Sequence, residues 1–457
     1  MLWRRHLADY PDTSTRAAYL TLVVLAAVIV FYEFYVAAAV APAIIAGLGM
    51  TFRFYVYTVA VACAAGALGS LAAGVADRWG RANLIAYGLM ANGVLTLFGI
   101  TNATGKWSFA IVFGVIGYIG GVILVATPAL VRDFAQRLGR ASAMGLWALG
   151  PVAGSLVVAV VSSLTLGHLH PWRDQFVIAG IAGLVAGLLS VLFLKEFSPG
   201  LRERMKKALR ERTVAEARAR GLDPEDAGDH PWRRVLRPDV IVPAFGCAVL
   251  LLVYYTAVVF FPSYFATVRG FSLASANSLG VWLWAFAGAA LLLAGIASDA
   301  TGVRKPFMVA GAVGAIASTV VLADLGRATP YGMYALMVSL LAVCLGVAFG
   351  PWMAAFTETV ERRNPELTGT GLAVWSWIVW AAVVIFLLIV PVVVPSLASV
   401  TDGQRRDWLW ACATGQVVFL PTVWLLSGRW NPRKARRDAE AHELRVQAEL
   451  QSLGADS

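Results

Sequence analysis

The sequence predicts an all-α integral membrane protein, with twelve transmembrane helices gathered into two pseudo-symmetric six-helix bundles. Three observations carry that expectation. Apolar residues make up 59% of the 457 and charged residues only 14%, against about 25% charged in an ordinary soluble domain. The apolar residues form long unbroken runs rather than alternating at every second position. That pattern excludes a membrane β-barrel, and the composition excludes a soluble enzyme, a disordered chain and a fibrous repeat. A single polar stretch, residues 196–238, divides the runs six and six.

The runs lie at 17–47, 53–76, 83–102, 107–131, 141–165, 175–195, 240–266, 273–298, 306–324, 330–357, 369–397 and 407–427. Each is close to or above the roughly 20 residues that cross a bilayer core. An even number of crossings returns both termini to one side. Seven basic residues (Arg53, Lys106, Arg173, Arg269, Arg327, Arg405 and Arg406) fall in the loops of the opposite side, leaving 30 of the 37 on the terminus side. The positive-inside rule makes the terminus side cytoplasmic. The net charge of +10 is thus a matter of topology and needs no nucleic-acid partner. The expected location is the plasma (inner) membrane, multi-pass, with both termini cytoplasmic. The first run is too long for a signal-peptide core and is expected to stay in the mature chain.

Four segments follow from this layout: an N-terminal six-helix bundle over 1–195, a cytoplasmic linker over 196–238, a C-terminal six-helix bundle over 239–428 and a charged cytoplasmic tail over 429–457. The linker holds 11 Lys/Arg; its first part, 200–221, reads as a basic surface helix, and its principal role as a tether carrying orienting charge. Cys63, Cys247, Cys344 and Cys412 each sit inside a run with no close partner. They read as packing residues, with no disulfide framework and no metal site.

The halves repeat one another. Ala73-Gly74-Val75-Ala76-Asp77-Arg78-Trp79-Gly80-Arg81 follows the second run, and Gly295-Ile296-Ala297-Ser298-Asp299-Ala300-Thr301-Gly302-Val303-Arg304 follows the eighth. Asp77 matches Asp299, and Gly80 matches Gly302, at an offset of 222. Gly49 pairs with Gly270 at 221, and Pro42 with Pro262 at 220. Such near-constant offsets mark an internal duplication.

At these residues the chain resembles the major facilitator superfamily of secondary transporters. Asp77-Arg78-Trp79-Gly80-Arg81 is the most specific element, although the family's glycine four positions before the aspartate is Ala73 here. The second copy has Gly295 at that place but Ala300 beside its aspartate. The resemblance implies that Asp77, Arg78, Gly80, Arg81, Asp299, Gly302 and Arg304 latch one conformational state, the outward-facing one. On chemistry alone, an Asp at a helix end can cap the next helix or pair with a base, and the arginines can reach helix C-terminal carbonyls or lipid headgroups.

The fifth run contains Gly150-Pro151-Val152-Ala153-Gly154, which resembles in part a glycine-rich signature of drug/proton antiporters. Gly150, Pro151 and Gly154 are expected to serve close packing and a kink. The fourth-run counterpart in those antiporters carries an intramembrane arginine; Ile116-Gly117-Tyr118-Ile119-Gly120-Gly121 carries none.

Glu33 lies within about two residues of the middle of the first run, and no Lys, Arg or His sits at comparable depth in any run. An isolated charged carboxylate there costs several kcal/mol, so it is expected to face a cavity, to be protonated, or both. It is the proton-coupling candidate. Glu358, at the end of the tenth run, reads equally as a gate or as a helix-end charge. In the family the resemblance points to, the first, fourth, seventh and tenth helices line the central cavity. The substrate candidates they carry are Tyr32, Tyr35, Thr127, Tyr254, Tyr255, Thr256 and Trp352, with Trp375, Trp377 and Trp380 of the eleventh run as further ones.

The expected function is secondary active transport: proton-coupled symport of a small organic metabolite by alternating access, with proton-driven efflux of drugs or amphipathic compounds as the alternative. No Gly-Lys-Ser/Thr phosphate loop is present, so ATP is not expected to drive it. No catalytic cluster points to an enzyme, and the absence of an added signalling domain disfavours a non-transporting sensor. The expected energy source is the proton gradient alone, with no other cofactor. The expected partners are a small-molecule substrate, protons and the lipid bilayer, around a functional monomer.

Overall fold

The structure is a computed structural model that describes residues 6–7, 9–72, 79–135, 146–168, 172–198, 200–201, 203–204, 236–326, 328–361, 368–394 and 402–431. Its first six helices are α1 (Thr13–Ala39), α2 (Phe52–Gly69), α3 (Arg81–Ile100), α4 (Lys106–Phe134), α5 (Gly150–Thr165) and α6 (Arg173–Phe193). The second six are α7 (Pro238–Thr267), α8 (Leu273–Thr301), α9 (Lys305–Asp324), α10 (Tyr331–Glu361), α11 (Thr368–Val393) and α12 (Asp402–Thr422). Eleven are long and apolar enough to span a membrane, and α5 is the shorter apolar twelfth. Helices are what such runs must form, because the bilayer core offers no other partner for backbone N–H and C=O groups.

The duplication is visible in the turns. Gly49 (φ +58°) and Gly270 (φ +75°) close the loops before α2 and α8. Thr51 and Ser272 then cap those helices, accepting the N–H of Phe54 at 3.2 Å and of Ser275 at 3.1 Å. Gly80 (φ +92°) and Gly302 (φ +70°) occupy equivalent places before α3 and α9. These conformations are costly for residues with a Cβ, which explains why the glycines recur at one offset. The proline pair has diverged: Pro262 lies inside α7, whereas Pro42 stands at the start of a short helix, Ala41–Gly47, after α1 has ended.

Within each half, small residues set the helix spacing. An added Cβ at Gly117 or Gly121 would overlap the carbonyl of Ala62 or Gly66, so α2 and α4 touch backbone to backbone. Gly93, Gly180, Gly183 and Gly187 do the same for α3 and α6. The last turn of α3, Leu95–Ile100, is π-helical. Residues 141–145 of the expected fifth span lie outside the described residues. So do most of the expected surface helix at 200–221 and residues 432–457 of the tail.

One element is absent from the sequence reading. β1 (His6–Leu7) pairs in parallel with β2 (Glu196–Phe197), tying the chain's start to the exit of α6. Tyr10 stacks near Phe197 (ring centroids 5.5 Å apart) and donates its hydroxyl to the Phe134 carbonyl at 3.3 Å.

The halves meet on the side away from the termini. There Phe52 of α2 packs near Phe260 of α7 (6.0 Å between centroids), and Gly280 of α8 faces the Ala159 methyl of α5. Arg53 donates a long hydrogen bond, 3.5 Å, to the Pro391 carbonyl of α11. Asn277 of α8 donates to the Ala39 carbonyl of α1 at 3.0 Å.

Candidate functional site

The helix α1 carries both candidate sites, on opposite faces. Glu33 and Tyr35 are two residues apart, about 200° around a helix. Tyr35 looks to the other half, where it meets Tyr254 and Tyr255 of α7, with Cys63 of α2 in its own half also nearby. Tyr254 packs edge-on against Trp284 of α8, 5.1 Å between centroids. Its hydroxyl approaches Ser155 of α5, yet neither oxygen makes a well-formed hydrogen bond. Tyr35, Ser155 and Trp284 line one cleft between the halves, which Ala39 and Asn277 close on the far side.

Glu33 points the other way, into the N-terminal half. It is 0% exposed, and an added Cβ at Gly183 of α6 would overlap its Oε1. Gly93 of α3 lies against the same spot. The Asn92 side chain is close enough to interact with the carboxylate, but it is not aligned for a hydrogen bond, and both ends of its amide and both carboxylate oxygens are unpartnered. Thr96, one turn further along α3, is likewise buried with an unpartnered hydroxyl. Glu33 does not line the cleft between the halves; its surroundings are α3 and α6. Bulky residues flank it on α1, and only the glycines of α3 and α6 leave room for a carboxylate.

The other cavity candidates separate into two groups. Trp352 is 0% exposed and stacks between Phe349 and Phe356 of α10. Trp375 of α11 lies 5.7 Å away by centroid, and both indole N–H groups lack an acceptor. Cys247 of α7 approaches the Trp375 indole. Thr127 and Thr256 bond within their own halves, although Thr256 also lines an apolar pocket with Phe52 of α2 and Phe260 of α7. Thr127 accepts the Trp147 indole N–H at 3.0 Å, and Thr256 donates to the Leu252 carbonyl with Cys412 3.8 Å away. Tyr32 is buried with an unpartnered hydroxyl. Trp377 is exposed at the surface of α11, and Trp380 is half-buried.

On the terminus side, two equivalent ion pairs tie neighbouring helices within each half. Arg81 at the start of α3 reaches Asp133 at the end of α4 at 2.9 Å, and its backbone N–H donates to Glu196 at 2.8 Å. Arg304, just before α9, reaches Glu358 near the end of α10 at 2.9 Å and also pairs with Asp299 and the Ser298 hydroxyl. Burial works against the Arg304 charge, but Glu358 and Asp299 more than offset it and hold its pKa above the ordinary guanidinium value. Glu358 is thus paired at the helix end with Arg304. Asp77 and Arg78 lie outside the described residues. Asp133 and Glu196 were not singled out from the sequence; Glu358 near the end of α10 is the counterpart of Asp133 at the end of α4, but its offset of 225 departs from the 220–222 of the duplication, so spacing does not point to the pair.

Pro151 stands in the first turn of α5, after a turn at Leu149, so the chain breaks ahead of it rather than kinking within the helix. Gly154 lets α5 lie directly on Phe31 and Val28 of α1, and Gly150 does so on Ala27.

The chain is similar to known proteins in both sequence and fold. The profile of the Major Facilitator Superfamily matches residues 23–387. A bacterial homolog of the human lysosomal transporter Spinster, in an inward-facing and occupied conformation, superposes with a TM-score of 0.65 at 17% identity, covering 93% of this chain and 98% of that one. The xylose transporter XylE from E. coli, partially occluded and inward open, gives 0.68 at 15%, covering 90% and 98%. XylE bound to 6-bromo-6-deoxy-D-glucose gives 0.69 at 15%, covering 91% and 96%. No curated protein matches the sequence.

Proposed function

The chain belongs to the Major Facilitator Superfamily, and on that premise we propose that it is a proton-coupled symporter of a small organic metabolite, working by alternating access in the plasma membrane. The observation that carries this reading is Glu33: a fully buried carboxylate at mid-membrane whose oxygens have no protein partner. A group so placed is kept for a function, because hydrocarbon surroundings penalise it otherwise. The protonated acid is tolerated there and the bare anion is not, so its protonation state and the packing of α1 on α3 and α6 depend on one another. Substrate would bind on the opposite face of α1, among Tyr35, Tyr254, Ser155 and Trp284 and the indoles of Trp352 and Trp375. These groups are neutral hydrogen-bonding and aromatic ones, suited to an uncharged or singly charged molecule. Both ends of one helix turn then feel both ligands, which is the physical requirement for coupling. Both termini and the 196–238 linker are cytoplasmic in this reading, the energy comes from the proton gradient, and the monomer is the working unit.

A second reading is proton-driven efflux of amphipathic compounds, favoured by the aromatic pair Trp352–Trp375. Purified protein in liposomes distinguishes the two. Counterflow against a panel of metabolites, with a pH gradient imposed in either direction, shows accumulation with the gradient for symport and expulsion for antiport. No counterflow with any metabolite would reject the first reading.

A further inference from the structure

Five unpartnered polar atoms lie buried inside the N-terminal half: both oxygens of Glu33, both ends of the Asn92 amide beside it, and the hydroxyl of Thr96, one helical turn on from Asn92. The three residues are at most 1% exposed. Buried polar atoms without partners are rare in native proteins and call for a specific explanation, a bound ion among them. A second observation bears on the same place. The α-helical ladder of α3 gives way to a π-helical last turn at Leu95–Ile100, three residues after Asn92, and that turn includes Thr96. Such a turn shifts the ladder of backbone hydrogen bonds, and the Thr96 hydroxyl within it is unpartnered. Gly183 completes the niche, for a Cβ there would displace the carboxylate, and the Gly93 backbone lies beside it.

We propose that this niche is a Na+ site, in which the metal ion takes the place of the proton on Glu33. The donors are all oxygen (the Glu33 carboxylate, the Asn92 amide oxygen and the Thr96 hydroxyl), which is the set a hard cation prefers. The charge follows from burial. One carboxylate with no cationic neighbour is neutralised by a monovalent ion, whereas a divalent ion would leave an uncompensated positive charge in the same place. The helices around it, α1, α3, α4 and α6, carry basic residues only at or near their ends: Arg16, Arg81, Lys106, Arg132 and Arg173. Acidic groups there are likewise terminal, Asp133 and Asp174. The tyrosines are Tyr19, Tyr32 and Tyr35 on α1, Tyr87 on α3 and Tyr118 on α4, the last two exposed on the outer surface. The Gly183 backbone packs directly against the carboxylate, which favours a small ion over a large one. Glu33 therefore holds either H+ or Na+, and the two compete. The inference deepens the reading of Glu33 as the coupling group by naming a second ion for it.

The test is made on the purified full chain in detergent at pH 8, with Na+ exchanged for K+ or choline at constant ionic strength and Tm followed by tryptophan fluorescence. Na+ should raise Tm by roughly 1–2 °C at ten times its dissociation constant, while K+ should not. Moving to pH 5.5 should raise the Na+ concentration needed for half the effect. Glu33→Gln should abolish the shift. Thr96→Val, which keeps the shape and removes the oxygen, should weaken Na+ about tenfold, with Thr96→Ser restoring it. No cation-selective shift in the unaltered chain, or a shift that survives Glu33→Gln, overturns the Na+ site. If proton-driven accumulation persists without any Na+ effect, the proposed function stands and this inference falls. A Na+ shift lost in Glu33→Gln, in a protein that ignores pH gradients, supports the site and removes the proton as the driving ion.

Discussion

Asn277 donates its side-chain N–H to the backbone carbonyl of Ala39, 3.0 Å away and shielded from solvent, and so joins the second half of the protein to the first. The bond exists because α1 ends early. Pro42 has no N–H, the chain turns at Val40, and Ala43 donates to Val40 rather than to Ala39. The carbonyl left out of the helical ladder is the one that Asn277 takes. A bond made across the halves on the far side is lost when that side opens.

Asn277→Ala should therefore favour opening of the far side. A buried hydrogen bond of about 1–2 kcal/mol corresponds to a roughly 5- to 30-fold shift between states. Alkylation by an impermeant reagent of a cysteine placed at Ala257, which lines the closed cleft, should accelerate by that factor. An unchanged rate would mean that the bond does not restrain the gate.

Glu33→Gln keeps the shape and hydrogen bonding of the protonated acid but cannot release a proton. It should abolish accumulation driven by a pH gradient while leaving substrate counterflow intact, since counterflow needs no net proton movement. Accumulation with unaltered pH dependence in this variant would make Glu33 structural.

Gly80→Ala combines a backbone conformation at φ +92° with an overlap between the new methyl group and the Glu196 carboxylate. The loss should be about 2 kcal/mol or more, seen as a lower Tm, with Gly302→Ala losing less because its φ, +70°, lies near the left-handed helical region. Equal losses at the two positions would show that the Glu196 contact contributes nothing.

Arg304→Ala and Glu358→Gln, singly and together, measure the pair that ties α9 to α10. Arg304 has a side chain only 15% exposed and Glu358 39%, so the coupling energy should be modest, about 0.5–1 kcal/mol. Strict additivity of the two losses in Tm-derived stability would deny the interaction.

Cysteines placed in the 196–238 linker should resist an impermeant maleimide on intact cells and react in inverted vesicles. Efficient labelling on intact cells would reverse the orientation drawn from the 30-to-7 division of basic residues.

Much of the architecture was legible because its causes leave marks in composition. Uninterrupted apolar runs must become helices in a bilayer, and positive-φ turns at Gly49, Gly80, Gly270 and Gly302 demand glycine, so the duplication could be read from spacing alone. The direction of Glu33 could not. The helix α1 is apolar on every face, so nothing in its own sequence says which side meets α3 and α6 and which meets α7. That rotation is set by where glycine leaves room on the neighbours, at Gly93, Gly154 and Gly183, a property of pairs of helices. The directions of Thr127 and Thr256 were hidden for the same reason: Thr127 bonds to Trp147, and Thr256 lies near Cys412 while lining a pocket shared with Phe52. The partners Asp133 and Glu196 stand 52 and 115 positions from Arg81, beyond the reach of local pattern.

The pairing of His6–Leu7 with Glu196–Phe197 also sets an order of events during synthesis. The first strand leaves the ribosome 190 residues before its partner, residue 6 against residue 196. At about 5–20 residues per second that is a wait of roughly 10–40 s. Until the sixth helix has been delivered, the amino-terminal segment has no edge to join, and Tyr10 has no Phe197 to rest on. The strand can therefore close only over a finished first half, before most of the second half exists. A chain stalled or truncated ahead of Glu196 would expose this segment to proteolysis, whereas one released after Phe197 would protect it.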